Sequence, residues 1–287
     1  MENNIKRLLH TLFSFIIFVF IQRLLVIVTG GLDLSLEPAL TELLCFLPAS
    51  AAAVLLFRLK TYDPTAEEEN DPIPPPEKSH PGHGLLGVVA AVAVMIVLMF
   101  LVSVPFGGSA SEAPAKTLTA FLSLVLIHPI AEEYIFRGLF YGELRRMNPV
   151  FGCLVQCVMF AIAHETVTGM IYALGSGIVL AYLLENTGRL WVPMAAHAII
   201  NLRSYLCLTV LTDKPLLCNL IDRGFIIGGF ICFILFLIIR NAPLRESVSD
   251  MQEESDECSA DPTAGNRKSS SPGLSHVRRN ASPGNAP

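Results

Sequence analysis

Apolar runs long enough to cross a bilayer constrain this chain before anything else does. A helix needs roughly 20 consecutive apolar residues to span the hydrocarbon core. Eight stretches approach that length, at about 8–29, 36–57, 85–106, 118–140, 150–166, 169–186, 190–210 and 224–240, the fifth and eighth being short. Inside a bilayer no water serves the backbone amides, so only helices and closed barrels can cross. The expected fold is therefore all-α, a polytopic transmembrane bundle of about eight spans. Composition agrees: 16% of the residues are charged, where a soluble domain carries about 25%. The first run follows Lys6 and Arg7 and could pass for a signal peptide. It is too long for an h-region, it contains Gln22 and Arg23, and no small-residue cleavage site follows. It reads as a retained span.

The runs divide the chain into an N-terminal hairpin (1–57), a linker (58–84), a bundle (85–240) and a polar tail (241–287). The linker carries Glu67, Glu68 and Glu69 and then Pro72, Pro74, Pro75 and Pro76, a composition suited to an extended, solvated loop. The tail is rich in Ser, Asp, Glu, Pro and Gly and nearly without aromatics, as disordered segments are. With a cytoplasmic N-terminus and eight spans, inside segments hold Lys6, Arg7, Arg58, Lys60, Lys78, Arg145, Arg146, Arg189, Arg240 and Arg245. Outside loops then hold only Lys116, Lys214 and Arg223. This bias predicts that both termini are cytoplasmic. Seven cysteines scattered through apolar segments do not form a disulfide framework; they read as small buried hydrophobes. A net charge of −5 argues against nucleic acid as a partner.

Ionisable groups inside spans are costly, roughly 2.5–3.5 kcal/mol each on insertion scales, and need a reason. Their densest concentration is His128-Pro-Ile-Ala-Glu132-Glu133-Tyr-Ile-Phe-Arg137-Gly138. Helical residues four apart share a face, so Glu133 and Arg137 form a natural ion pair, while Glu132 points about 100° away. Pro129 weakens the helix just before the acids, and His128 lies one turn before Glu132, within hydrogen-bonding reach of it. Phe160 and His164 are four apart in the fifth run, so the ring can pack beside the imidazole. His197 and Asn201 share a face in the seventh. If those faces meet, one polar pocket gathers a carboxylate, two imidazoles and an amide. Such a pocket suits hydrolysis, with the carboxylate as general base on water and imidazole or amide groups facing an oxyanion. The same set could instead hold Zn²⁺ through Glu132, His164 and His197, with an open fourth position, although no single helix carries HExxH.

EExxxR at 132–137, FxxxH at 160–164 and HxxxN at 197–201, in this order on successive membrane helices, resemble the CAAX protease and bacteriocin-processing (CPBP, or Abi) family. The resemblance covers about residues 117–205. The best understood members are CAAX prenyl endopeptidases, which trim prenylated proteins. It implies an intramembrane endopeptidase acting on a membrane-associated protein or peptide. Glu132 would activate the water, His164 would hold that water or receive its proton, and His197 and Asn201 would form the oxyanion site. Glu133, Arg137 and Phe160 would support them. The family was long classed as metalloproteases; a glutamate mechanism without a cofactor is the expectation here, with zinc the alternative. A prokaryotic cell membrane is the expected location, and a prenylated substrate is left open.

Other readings use the same residues. A polar network can merely lock helices together, which would suit a non-catalytic immunity or scaffold protein. A proton-coupled transporter would also bury carboxylates and histidines, but no internal repeat supports it. His128 reads as a packing or hydrogen-bonding residue. Arg23 and Arg203 read as snorkelling or pairing within the bundle, with Arg203 close enough to Asn201 to meet a substrate. Glu165 is expected at the outer end of its helix, with a place in the pocket open to it. Tyr134 and Tyr172 are indistinguishable from packing residues.

Overall fold

The computed structural model describes residues 2–32, 36–59, 83–106 and 114–241. Most of the Pro/Glu-rich linker and nearly all of the polar tail lie outside these. The described residues form eight helices and their turns: α1 (Glu2–Gly31), α2 (Pro38–Arg58), α3 (His83–Phe106), α4 (Leu118–Leu144), α5 (Pro149–Ile162), α6 (Val167–Thr187), α7 (Trp191–Thr209) and α8 (Pro215–Asn241). Each corresponds to one of the eight apolar runs. Six, namely α1 to α4, α6 and α8, are long and apolar enough to cross a membrane. The 14-residue α5 is about 21 Å long, short of the roughly 30 Å core. The chain is thus an integral, multi-pass helical membrane protein.

Local chemistry sets several helix ends. Thr117 opens α4 by accepting from the Ala120 amide, and Asn148, followed by Pro149, opens α5 by accepting from the Phe151 amide. Thr166 does the same for α6 through Gly169, and Gly188 ends α6 in the left-handed region at φ 61°. Two aromatic and aliphatic cores hold the bundle. One joins Phe15 and Phe18 of α1, Phe46 and Phe57 of α2, Phe136 and Phe140 of α4, and Phe160 of α5. The other joins α3, α6 and α7 through Val92, Met95, Ile96, Leu180, Val192 and Ile200, with Phe225 of α8 against it. The N-terminal hairpin therefore shares a core with the acid-bearing helix. Phe18 stacks edge-on against Phe136 with centroids 6.1 Å apart.

Helix α4 is not uniform. Ser123–Ile127 and Tyr134–Tyr141 are π-helical, and the α-helical turn His128–Glu133 sits between them. Such widened turns concentrate at functional sites. Pro129, expected to weaken the helix, stands just past the first. The His128 amide reaches back five residues to the Ser123 carbonyl. The same pattern one step on would ask the Pro129 nitrogen to serve the Leu124 carbonyl, and proline has no N–H to give.

Candidate active site

The Leu124 carbonyl obtains its donor from another helix: Asn201 Nδ2 of α7 donates to it at 3.0 Å. The widened turn and its proline thus fix where Asn201 points. One amide hydrogen is spent on α4, leaving the other and the side-chain oxygen for other partners.

Glu133 and Arg137 pair as their spacing predicts, at 2.8 Å, and both side chains are fully buried. Arg137 also lies over the Phe160 ring, 4.3 Å from its centroid, a cation–π contact that explains the aromatic at this position. A β-carbon at Gly177 of α6 would come within 3.1 Å of Cys157 Sγ and 3.6 Å of Arg137 Nη2, so this glycine makes room for the guanidinium. Glu133 has a second partner that sequence spacing does not reveal. His197 Nδ1 lies 2.8 Å from Glu133 Oε1. As a carboxylate Glu133 only accepts, so Nδ1 is the donor and the ring is held with Nε2 turned toward Glu132, 3.8 Å from its Oε2. His197 therefore stands between the two adjacent acids of α4, bonded to Glu133 and facing Glu132.

His164 was expected within the fifth span. Helix α5 ends at Ile162, and His164 lies just beyond it. Its Nδ1 donates to the Phe160 carbonyl at 2.9 Å, one of the last four carbonyls that a helix leaves unpaired. A carbonyl can only accept, so the neutral ring keeps its lone pair on Nε2. The ring still packs on Phe160, with centroids 4.9 Å apart. His128 does not turn to Glu132 as its spacing would permit. Its Nδ1 reaches back to the Ser123 carbonyl at 3.1 Å, and its ring lies 4.4 Å from that of Phe46.

Glu132, His164, His197 and Asn201 all line one cavity of about 360 Å³, together with His128 and Phe160. Glu132 retains some exposure there, its side chain 21% accessible against 0% for Glu133. Other wall residues stand outside the three sequence motifs. The hairpin contributes Phe18, Gln22 and Val26 at successive four-residue steps of α1, and Glu42, Cys45 and Phe46 from α2. The signal was present in Gln22 and Glu42, polar residues in otherwise apolar helices. Tyr172 and Ser176 of α6 line the cavity too. Glu165 is at its edge, paired to Arg23 at 2.5 Å. Arg203 does not face the cavity; it is paired with Asp222 of α8 through Nε at 2.7 Å. Among the described residues no three His, Cys, Asp or Glu side chains converge as an ion's ligands would.

Comparison with known proteins agrees with this picture. Residues 114–203 match the family model for Type II CAAX prenyl endopeptidase Rce1-like proteins. The chain is 25% identical over 209 residues to "Membrane-embedded CAAX protease MroQ" of Staphylococcus aureus (strain USA300), covering 68% of this chain and 83% of that protein. It is 35% identical over 77 residues to "Putative membrane peptidase YdiL" of Bacillus subtilis (strain 168), covering 26% of this chain and 32% of that one. No solved structure matches.

Proposed function

We propose that this membrane protein, whose residues 114–203 match the Rce1-like CAAX prenyl endopeptidase family model, is a protease that cleaves a peptide bond within the membrane by a glutamate-activated water. The observation that carries the reading is the placement of His197, Nδ1 bonded to Glu133 and Nε2 facing Glu132 across the cavity. Glu132 takes a proton from water, and the hydroxide adds to the scissile carbonyl carbon. The neutral His164 accepts a hydrogen bond from that water at Nε2. The carbonyl oxygen, now an anion, faces His197 and the unspent amide hydrogen of Asn201. Nε2 of His197 donates when the ring carries both protons, and Glu133 then balances the charge at Nδ1. When the C–N bond breaks, Glu132 returns its proton to the departing amine. An oxyanion meets donors already fixed in place, which need no reorganisation as the charge develops. The ion pair of Glu133 with Arg137, together with Phe160, is the frame that holds His197.

A zinc mechanism would use Glu132 and the Nε2 atoms of His164 and His197, and the metal content of the active protein separates it from the metal-free form. The substrate is a membrane-associated protein or peptide. The basic bias of the loops, counted over eight spans, supports cytoplasmic termini, and a prokaryotic cell membrane is the proposed location. Glu132→Gln tests the reaction. Membrane proteomes of cells with wild-type and variant protein are compared for new N-termini. The variant is expected to accumulate to wild-type levels while a wild-type-dependent N-terminus disappears. An N-terminus that persists at full yield in the variant refutes the mechanism, and activity lost together with stoichiometric zinc refutes the metal-free form.

A further inference from the structure

One wall residue of the cavity has a group with nothing to do. Tyr172 and Ser176, one turn apart, put the same face of α6 on the cavity. The Ser176 hydroxyl donates to the Ala173 carbonyl at 3.3 Å. His128, His164, His197 and Asn201 each have a hydrogen-bond partner. Tyr172 as a residue is half-buried, packed against the core of α3, α6 and α7. Its hydroxyl oxygen is shut off from solvent and has no hydrogen-bond partner among the described residues. A phenylalanine would fill the same space without stranding a donor, and buried polar groups are nearly always paired, so a stranded one calls for an explanation. The phenol is too far from its own helix to bond a backbone carbonyl there, as Ser176 does.

We propose that Tyr172 is a catalytic residue that touches substrate: the bound peptide displaces the packing that covers its hydroxyl, and the O–H then donates to a carbonyl of that peptide. The assignment rests on the proteolytic reading and adds a donor from α6 to those from α7. It follows that the hydroxyl is a liability in the free protein and an asset only in the complex. Removing one partner of a hydrogen bond hurts only where the bond exists. Tyr172→Phe is therefore expected to leave the melting temperature of the purified full-length protein unchanged or raised. In the same preparation it lowers kcat/KM by roughly tenfold or more, the rate equivalent of one hydrogen bond to a charged or developing oxyanion. The probe is an internally quenched peptide ending in a farnesyl-cysteine CAAX sequence, with Glu132→Gln as the inactive control. A second measurement is the rise in melting temperature that the peptide induces, expected to shrink in Tyr172→Phe relative to wild type. A variant that cleaves at the wild-type rate overturns the proposal. So does one that melts lower, because the hydroxyl would then be satisfied in the free protein. Wild-type protein that is neither able to cleave the peptide nor stabilised by it sinks the proteolytic reading on this substrate class, and the Tyr172 assignment with it.

Discussion

Replacing Glu133 by Gln separates the frame from the chemistry it supports. Glu133 Oε1 carries both bonds, to Arg137 and His197, while Oε2 is buried without a partner. The amide oxygen can keep the first position and the NH₂ group the second, so the change removes charge with little change of shape. Arg137 then becomes a buried cation with no anion. Its Nε and Nη2 have no hydrogen-bond partner, and its remaining support is the neutral amide oxygen at Nη1 and the Phe160 ring. Breaking such a pair typically costs about 3–5 kcal/mol, a fall in melting temperature on the order of 10 °C for a domain of this size. The companion variant Glu133→Gln/Arg137→Met removes both charges and should regain most of that stability, since apolar replacement of a buried pair is often neutral or better. It should not regain activity, because His197 still lacks an anion at Nδ1. General acid–base groups contribute about 10²–10⁴ in rate, and a loss in that range is expected for both variants. Thermal melts and peptide cleavage in lipid nanodiscs measure the two effects on one sample. A double variant no more stable than the single one would refute the ion-pair argument, and one that regains full activity would refute the positioning of His197 by Glu133.

Other outcomes follow from the same geometry. Asn201→Ala strands the Leu124 carbonyl and should cost about 1–3 kcal/mol of stability besides slowing cleavage; a melt unchanged from wild type would contradict the link between the widened turn and α7. Asp222→Leu leaves Arg203 unpaired between α7 and α8 and should destabilise by about 3–5 kcal/mol, with Arg203→Met/Asp222→Leu restoring the melt. Gly229→Leu drives a side chain toward Ala93, where a β-carbon already falls 2.1 Å away. It should loosen α8 from α3, read as faster proteolysis of α8 in nanodiscs.

How far the sequence predicts this molecule depends on distance along the chain. Each helix is announced by its own apolar run, and Glu133 with Arg137 by a four-residue spacing, so both are legible locally. The Glu133–His197 bond joins residues 64 apart, and no pattern within either helix implies it; the two residues read as separate motifs with separate roles. His164 lies in the cavity with Glu132 but on the other side of a helix end from its expected place, because the run read as a span continues past Ile162 while the helix does not. The π-helical turns, on either side of His128–Glu133, have no pattern of their own in the sequence. Proline shows that a hydrogen bond is lost, not which side chain replaces it. Gln22 and Glu42 stand out in their runs, yet only tertiary packing brings them to the cavity.

The hairpin wall bears on how such proteins diverge. The groups proposed to carry hydrolysis lie within residues 114–203, the matched segment, whereas Phe18, Gln22, Val26, Glu42, Cys45 and Phe46 lie outside it and border the same space. On the proposed function, this division would let the chemistry and part of the selectivity reside on different parts of the polypeptide. A lineage can exchange or mutate its first two helices and change what it cuts, with the hydrolytic apparatus untouched. Chimaeras that swap residues 1–57 between two such proteins should transfer substrate preference and leave the turnover machinery behind.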